Sequence, residues 1–229
     1  MNRSTGIVIG VSALAGLAAA WTTLATFDPD KTGAKQAREH GSAPVQSSRE
    51  MSRIWQTGNM GDVMRRSGLW SVDDPDAVWP KYYRACALDR LGQDSAHAWQ
   101  LVLDTIDHNA EDPEQSTDGN REFWNSYLRG VALVRLGRPD EGRPELKSAL
   151  ELPGRLNPVS RLYIRANVEA LLENPDGAID LLEQSAQESP DNQPYWLSWA
   201  VHDPEFANIT DHPRFVALIQ RLEEPQGPD

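Results

Sequence analysis

The sequence has little of what most redox, metal and nucleic-acid chemistry requires. Among 229 residues there is one cysteine, Cys86, which excludes an intramolecular disulfide, a cysteine-based zinc site, an iron–sulfur cluster and a CxxC redox motif. The chain carries 34 Asp and Glu against 22 Lys and Arg, a formal charge of −12. No basic cluster of the kind that contacts phosphates is present, so we expect no nucleic-acid partner.

Common catalytic motifs are also missing. There is no GxSxG nucleophile elbow, no GxxxxGK[ST] phosphate loop and no GxGxxG fingerprint. The densest group of metal-ligand types runs from His202 to His212, but it lacks HExxH-like spacing and its prolines are typical of tight turns. We therefore expect a protein without catalytic activity or cofactor. A metal-dependent enzyme built on the His202–His212 region is a further alternative.

The N-terminus contains a long run without charge. After a stub of residues 1–5, residues 6–27 carry no ionisable side chain and would span about 33 Å as a helix, the thickness of a bilayer core. This length predicts a retained transmembrane anchor. The alternative is a signal peptide cleaved after Ala18-Ala19-Ala20, which would release a soluble periplasmic protein.

The membrane orientation is not decided by charge, because Lys and Arg flank both ends of residues 6–27. The short, signal-like N-terminus favours a C-terminal domain on the periplasmic side of a bacterial cytoplasmic membrane. Residues 28–48 are polar and predict a flexible linker. Helical spacing of apolar residues begins at Arg49, where we expect an opening helix pair.

The chain then repeats itself. Tyr82-Tyr83-Arg84-Ala85 recurs as Tyr127-Leu128-Arg129-Gly130 and as Tyr163-Ile164-Arg165-Ala166. A leucine lies six residues after each small residue, followed by glycine in two copies and by Glu173 in the third. A second amphipathic run then begins each time, over residues 96–106, 141–152 and 178–186.

This pattern predicts helical hairpins. The small residue of the first helix lets the second helix approach closely, and the Leu-Gly step ends the first helix with a left-handed cap. A single hairpin cannot bury its apolar face, so neighbouring hairpins must stack. The predicted repeat-packing residues are Ala85, Leu91, Gly92, Gly130, Leu136, Gly137, Gly142, Ala166, Leu172 and Ala178.

The motif Y-x-R-[AG]-x-x-L-x-x-L-G in the first two copies resembles the tetratricopeptide repeat family over roughly residues 79–190. The resemblance implies an all-α solenoid over residues 49–192. The tail, residues 193–229, resembles the capping end of many bacterial members of that family. It carries a tryptophan, a D-P-x-F and a P-R-F, which the resemblance assigns to closing the solenoid end through Trp196, Phe206 and Phe215.

The resemblance also implies that a peptide or protein ligand binds the concave face formed by the first helices. The groove residues in that register are Tyr82, Asp89, Arg90, Trp124, Tyr127, Val134, Arg135, Tyr163 and Asn167. The alternative is that the three tyrosines pack between repeats and meet no ligand. Residues 71–128 carry four basic against twelve acidic side chains. This acidity suits a basic partner, and the alternative is that it serves solubility in high salt.

The sequence thus predicts a membrane-tethered, non-catalytic scaffold or assembly factor that binds one or more partner proteins. A cleaved, soluble periplasmic binding protein or chaperone of the same fold is the alternative. Partner identity and oligomeric state are not readable from these patterns.

Overall fold

The computed structural model describes residues 48–111, 119–152, 156–188 and 199–223, all within one compact unit. The predicted stub, the anchor at residues 6–27 and the linker up to residue 47 lie outside the described residues. In the described ranges no helix is both long and apolar enough to cross a membrane. These ranges are all-α, with no strand, as the sequence predicts.

The described ranges contain nine helices with defined bounds, one 3-10 turn and the helical residues 199–202. The helices are α1 Ser48–Gln56, α2 Met60–Asp73, α3 Val78–Arg90, α4 Ala96–Glu111, α5 Gly119–Arg135, α6 Pro139–Glu151, α7 Pro158–Leu171, α8 Pro175–Glu188 and α9 Pro213–Glu223, with the 3-10 turn at Pro204–Phe206. Helices α3/α4, α5/α6 and α7/α8 pack as three hairpins, and each hairpin contacts the next.

An opening pair, α1 and α2, precedes the hairpins. Gly58 joins the two helices with a φ of 68°, a value that suits glycine. The Asn59 side chain then caps α2 by accepting a hydrogen bond from the backbone N–H of Asp62 at 3.1 Å. Met51 and Val63 are fully buried in the same apolar core as α3. The pair therefore covers the open side of the first hairpin.

The second hairpin is closed by two glycines that face each other. A Cβ on Gly142 would lie 2.7 Å from the carbonyl oxygen of Gly130, and one on Gly130 would lie 2.6 Å from Leu146 Cγ. No side chain fits in either place. In the first and third hairpins the small positions Ala85, Ala166 and Ala178 are also fully buried.

The first helix of every hairpin ends in the same left-handed cap. Gly92, Gly137 and Glu173 have φ values of 63°, 74° and 63°. In each case the next residue donates its backbone N–H to a carbonyl five residues earlier, as from Gln93 to Leu88 at 3.0 Å. The third hairpin keeps this geometry although it has no glycine there.

The second helices are longer than their apolar runs predict. Helix α4 continues to Glu111, five residues beyond the predicted run of residues 96–106, because Asn109 is buried and its amide donates to the carbonyl of Asp76 at 2.9 Å. Helices α6 and α8 begin at Pro139 and Pro175. Proline suits a first turn, since its missing N–H has no helical acceptor there.

The C-terminal segment packs on the third hairpin. The rings of Phe206 and Phe215 lie 6.3 Å apart, and Phe206 lies 5.5 Å from the ring of Tyr163. Both phenylalanines are buried in a second core that includes residues of α7 and α8. Arg214 also holds α9 to α8 through Asp180 at 2.6 Å. Trp196, the third predicted capping residue, lies outside the described residues.

Candidate functional site: the face of the first helices

Three tyrosines mark one face of the hairpins. Tyr82, Tyr127 and Tyr163 occupy α3, α5 and α7, and their exposed fractions are 9%, 2% and 3%. Burial raises the pKa of each phenol well above its ordinary value. At neutral pH each hydroxyl is therefore a neutral group that can donate a hydrogen bond.

A segment of the chain itself lies across this face. Residues 203–206, here called the docked turn, contact both α3 and α7 through their 3-10 part. The Tyr82 hydroxyl donates to Glu205 Oε1 at 2.7 Å. Tyr163 donates its hydroxyl, at 2.9 Å, and Asn167 its side-chain amide, at 3.0 Å, to Asp203 Oδ2.

Helix α5 supplies the third attachment of the docked turn. The guanidinium of Arg135 donates to the carbonyl oxygen of Pro204. Each of the three first helices therefore contributes a hydrogen bond to the same four-residue segment. Part of the face that the sequence predicts to bind a partner is therefore covered by a segment of the same chain.

The two acids of the docked turn, Asp203 and Glu205, interact with each other. Glu205 is 1% exposed, and none of the described residues donates a hydrogen bond to its Oε2. Burial first, and then the charge and hydrogen bonding of Asp203, raise the pKa of Glu205 well above its ordinary value. The raised pKa favours the protonated form of Glu205, because a second negative charge beside Asp203 would be buried without compensation.

The docked turn divides the predicted groove. On one side Asp89, Arg90 and Arg135 line a shallow depression together with Pro204 and Ala207. Asp89 accepts hydrogen bonds from the Ser95 hydroxyl and from the Trp99 indole, the latter at 3.1 Å. Its carboxylate also lies 3.7 Å from Arg135 Nε. Asp89 and Arg135 therefore offset each other's charge within the chain.

On the other side lies a cavity of about 450 Å³, here called the aromatic pocket. This volume is in the range of ligand-binding clefts. Eight of the lining residues are aromatic, namely Trp55, Trp79, Tyr82, Tyr83, Trp124, Tyr127, Tyr163 and Trp199. The others among the described residues are Ser52, Leu156, Ser160, Ile164, Asn167 and Asp203.

Five of the nine predicted groove residues meet in the aromatic pocket: Tyr82, Trp124, Tyr127, Tyr163 and Asn167. Val134 lies on another side of α5, where its Cγ2 would be 2.8 Å from a Cβ on Gly142. Sequence reasoning missed Trp55, Trp79, Trp199 and Asp203. Two signals were available. Trp79 precedes Tyr82 by three residues, as Trp124 precedes Tyr127, and the chain has eight tryptophans against four phenylalanines.

The two histidines of the His202–His212 region make separate contacts. His202 packs on Gly58, where a Cβ would lie 2.9 Å from its Cε1, and burial followed by the charge of Arg90 lowers its pKa. His212 Nδ1 accepts from the backbone N–H of Arg214 at 3.3 Å. In the described ranges no three His, Cys, Asp or Glu side chains are grouped so as to hold a metal.

Cys86 is 1% exposed, and burial raises the pKa of its thiol well above the ordinary value. A neutral, enclosed thiol is a poor nucleophile. It fills space between helices, as a small apolar residue does.

The chain was compared with known families, curated proteins and solved structures. No protein-family model matches it, and no curated protein does. A solved structure described as "MamA RS-1 ArsTM double mutant" aligns with 82% of this chain and 100% of its own, at 16% identity and a TM-score of 0.34. A likeness at this level carries no assignment of family or function.

Proposed function

We propose that the chain is a tetratricopeptide-type, non-catalytic scaffold or assembly factor that binds partner proteins on the face of its first helices. The observation that carries the proposal is the docked turn, which α3, α5 and α7 bind together through Tyr82, Arg135 and Tyr163. Side-chain donors that hold four residues of the same chain are suited to hold a polypeptide in the space that remains.

The chemistry of that space supports the proposal. Tyrosine, tryptophan and arginine are the residue types enriched at protein-binding hot spots, and the aromatic pocket is lined mainly by the first two. Trp79 and Trp124 are only partly buried, and their rings meet edge to face with centroids 4.9 Å apart. They form a rigid apolar rim that a partner can cover at little entropic cost.

The proposed location rests on the sequence. The uncharged run at residues 6–27 supports a single anchor, with the repeats on the periplasmic side of a bacterial membrane. Cleavage of this run would instead release a soluble periplasmic binding protein or chaperone with the same binding face. Mass spectrometry of the mature N-terminus separates the two, since a protein that starts near Trp21 has lost its anchor.

Site-specific photo-crosslinking tests the binding face. A p-benzoylphenylalanine in place of Trp124, at the pocket rim, should crosslink a defined partner protein in cells. The same group in place of Lys147, exposed on α6, should not. The purified partner should then bind the chain, and Ile164→Glu in the pocket lining should weaken that binding while Lys147→Glu does not. Equal crosslinking from both positions would refute the proposed face.

A further inference from the structure

We propose that the aromatic pocket binds an alkylammonium group, that is, a protonated amine on an apolar stem such as a lysine side chain. That a partner protein provides this amine rests on the proposed function. The chemistry of the pocket does not, because it follows from the residues that line it.

The charge of the pocket favours a cation. Among the described lining residues there is no Lys, Arg or His, and Asp203 supplies the only carboxylate. Tyr163 and Asn167 hold that carboxylate in place through its Oδ2. A ligand cation near Asp203 would therefore find a preorganised negative group and no competing positive one.

A buried acceptor in the lining lacks a donor. Asn167 is 1% exposed, and because its Nδ2 donates to Asp203 the orientation of its amide is determined. Its Oδ1 has no hydrogen-bond donor among the described residues. A buried acceptor without a donor is costly, and an ammonium N–H is a donor that would satisfy it.

The walls suit both parts of such a ligand. Aromatic faces attract an ammonium group through their quadrupole, and indole gives the strongest attraction. The rings of Trp79, Trp124 and Tyr127 pack edge to face in sequence, at 4.9 Å and 5.8 Å, and form an apolar surface against which an alkyl stem can be buried. The buried polar floor and partly exposed aromatic rim match a stem that ends in a charge.

Related cations fit less well. A guanidinium binds carboxylates best through both oxygens, but Asp203 Oδ2 already accepts two hydrogen bonds. A quaternary ammonium has no N–H for Asn167 Oδ1. We therefore expect the pocket to prefer a primary ammonium over n-butyltrimethylammonium and n-butylguanidinium.

The test compares two ligands of equal size on the purified full chain. Tryptophan fluorescence and calorimetry would follow titration with n-butylammonium chloride and with 1-butanol at constant ionic strength. The ammonium should bind saturably and at least about tenfold more tightly than the alcohol, which lacks the charge. Equal affinity for both, or no saturable binding of the ammonium, would overturn the proposal.

Substitutions locate the site. Asp203→Asn removes the charge but keeps an acceptor for Tyr163, and it should weaken ammonium binding at least about tenfold. Asp104→Asn, exposed on α4 and outside the lining, should leave binding unchanged. If Asp203→Asn does not fold, Trp124→Leu at the rim takes its place and should weaken binding several-fold. If the pocket variant that folds, Asp203→Asn or Trp124→Leu, binds n-butylammonium as tightly as the wild type, the aromatic pocket is not the ammonium site.

Two peptides identify the source of the amine. An Ac-Gly-Lys-Gly-amide that displaces n-butylammonium, while its acetyl-lysine form does not, supports a lysine side chain. Displacement by free amines alone supports a small-molecule amine in the same site. A crosslinked partner without any ammonium binding would overturn this inference and leave the scaffold proposal standing. Ammonium binding without a crosslinked partner would support the ammonium site and count against the scaffold proposal.

Discussion

The hydroxyl of Tyr82 donates a hydrogen bond of 2.7 Å to the carboxyl of Glu205, 123 positions further along the chain. This bond connects the first helical hairpin to the C-terminal cap. Tyr163 and Asp203 make the matching connection at the third hairpin. The cap therefore does more than cover the last hairpin, because it also ties the ends of the repeat array together.

Loss of the Tyr82 hydroxyl should destabilise the fold measurably. Tyr82→Phe leaves Glu205 Oε1 buried without its donor, so we expect the free energy of unfolding to fall by about 1–3 kcal/mol. Tyr127→Phe is the matched control, since no hydrogen bond joins the Tyr127 hydroxyl to another of the described residues. Urea unfolding of both variants is the measurement. Equal losses would mean that the Tyr82–Glu205 bond is not the cause.

The raised pKa of Glu205 should make stability depend on pH. The folded state keeps a proton that the unfolded chain releases, so this group stabilises the fold at low pH. That contribution is lost as pH rises from the unfolded value of about 4.3 through the raised folded pKa. Glu205→Gln mimics the neutral acid, so its stability relative to the wild type should increase as pH rises.

Unfolding measured at about pH 5, 6, 7 and 8 tests this pH dependence. The difference in unfolding free energy between Glu205→Gln and the wild type should change across the series in favour of the variant. The exposed substitution Asp104→Asn serves as a control for the loss of one acid elsewhere. A constant difference for Glu205→Gln would show that Glu205 does not hold a proton in the folded state.

Glu173 should be replaceable with a gain in stability. It has a φ of 63°, a conformation that L side chains adopt at a cost and glycine adopts freely. We expect Glu173→Gly to stabilise the fold by about 0.5–1 kcal/mol, because the exposed contact with Arg143 that it removes is worth little. Thermal unfolding would show this gain as a higher melting temperature. The converse substitution, Gly137→Glu, should lower the melting temperature.

The glycine contact in the second hairpin should tolerate no side chain. Gly142→Ala would place a methyl group 2.7 Å from the backbone oxygen of Gly130, which cannot rotate away. A loss of about 1–3 kcal/mol is expected from overpacking. Gly61→Ala in α2 is the control, because its nearest neighbour would be at an ordinary 3.5 Å and alanine favours a helix. Urea unfolding is the measurement. If Gly61→Ala lost as much stability as Gly142→Ala, the close contact between Gly142 and Gly130 would be contradicted.

Local patterns predicted the helical hairpins and the ends of their first helices. The Leu-Gly steps at Gly92 and Gly137 form the expected left-handed caps, and the expected close approach occurs at Gly130 and Gly142. These features depend on residues close together in sequence or on direct contact between paired helices. The end of α4 was not predicted, because the burial of Asn109 depends on a carbonyl 33 positions earlier.

The candidate site was predicted only in part, for a related reason. Sequence register brought five groove residues together, whereas Trp55, Trp199 and Asp203 come from segments outside that register. Trp79 was within reach of the register, because it precedes Tyr82 by three residues as Trp124 precedes Tyr127. Nothing local in D-P-x-F indicates that its acids turn back toward the tyrosines. Their partners lie on α3 and α7, which become neighbours of the segment only when the chain folds.

By itself the sequence determined that this chain forms capped helical hairpins with tyrosines in register, because helix periodicity and glycine caps are local properties. The tertiary structure decided what the tyrosines face. Residues 203–206 fill part of the expected groove because burying Glu205 and Asp203 requires donors, and Tyr82, Tyr163 and Asn167 supply them. The remainder of that groove is the aromatic pocket.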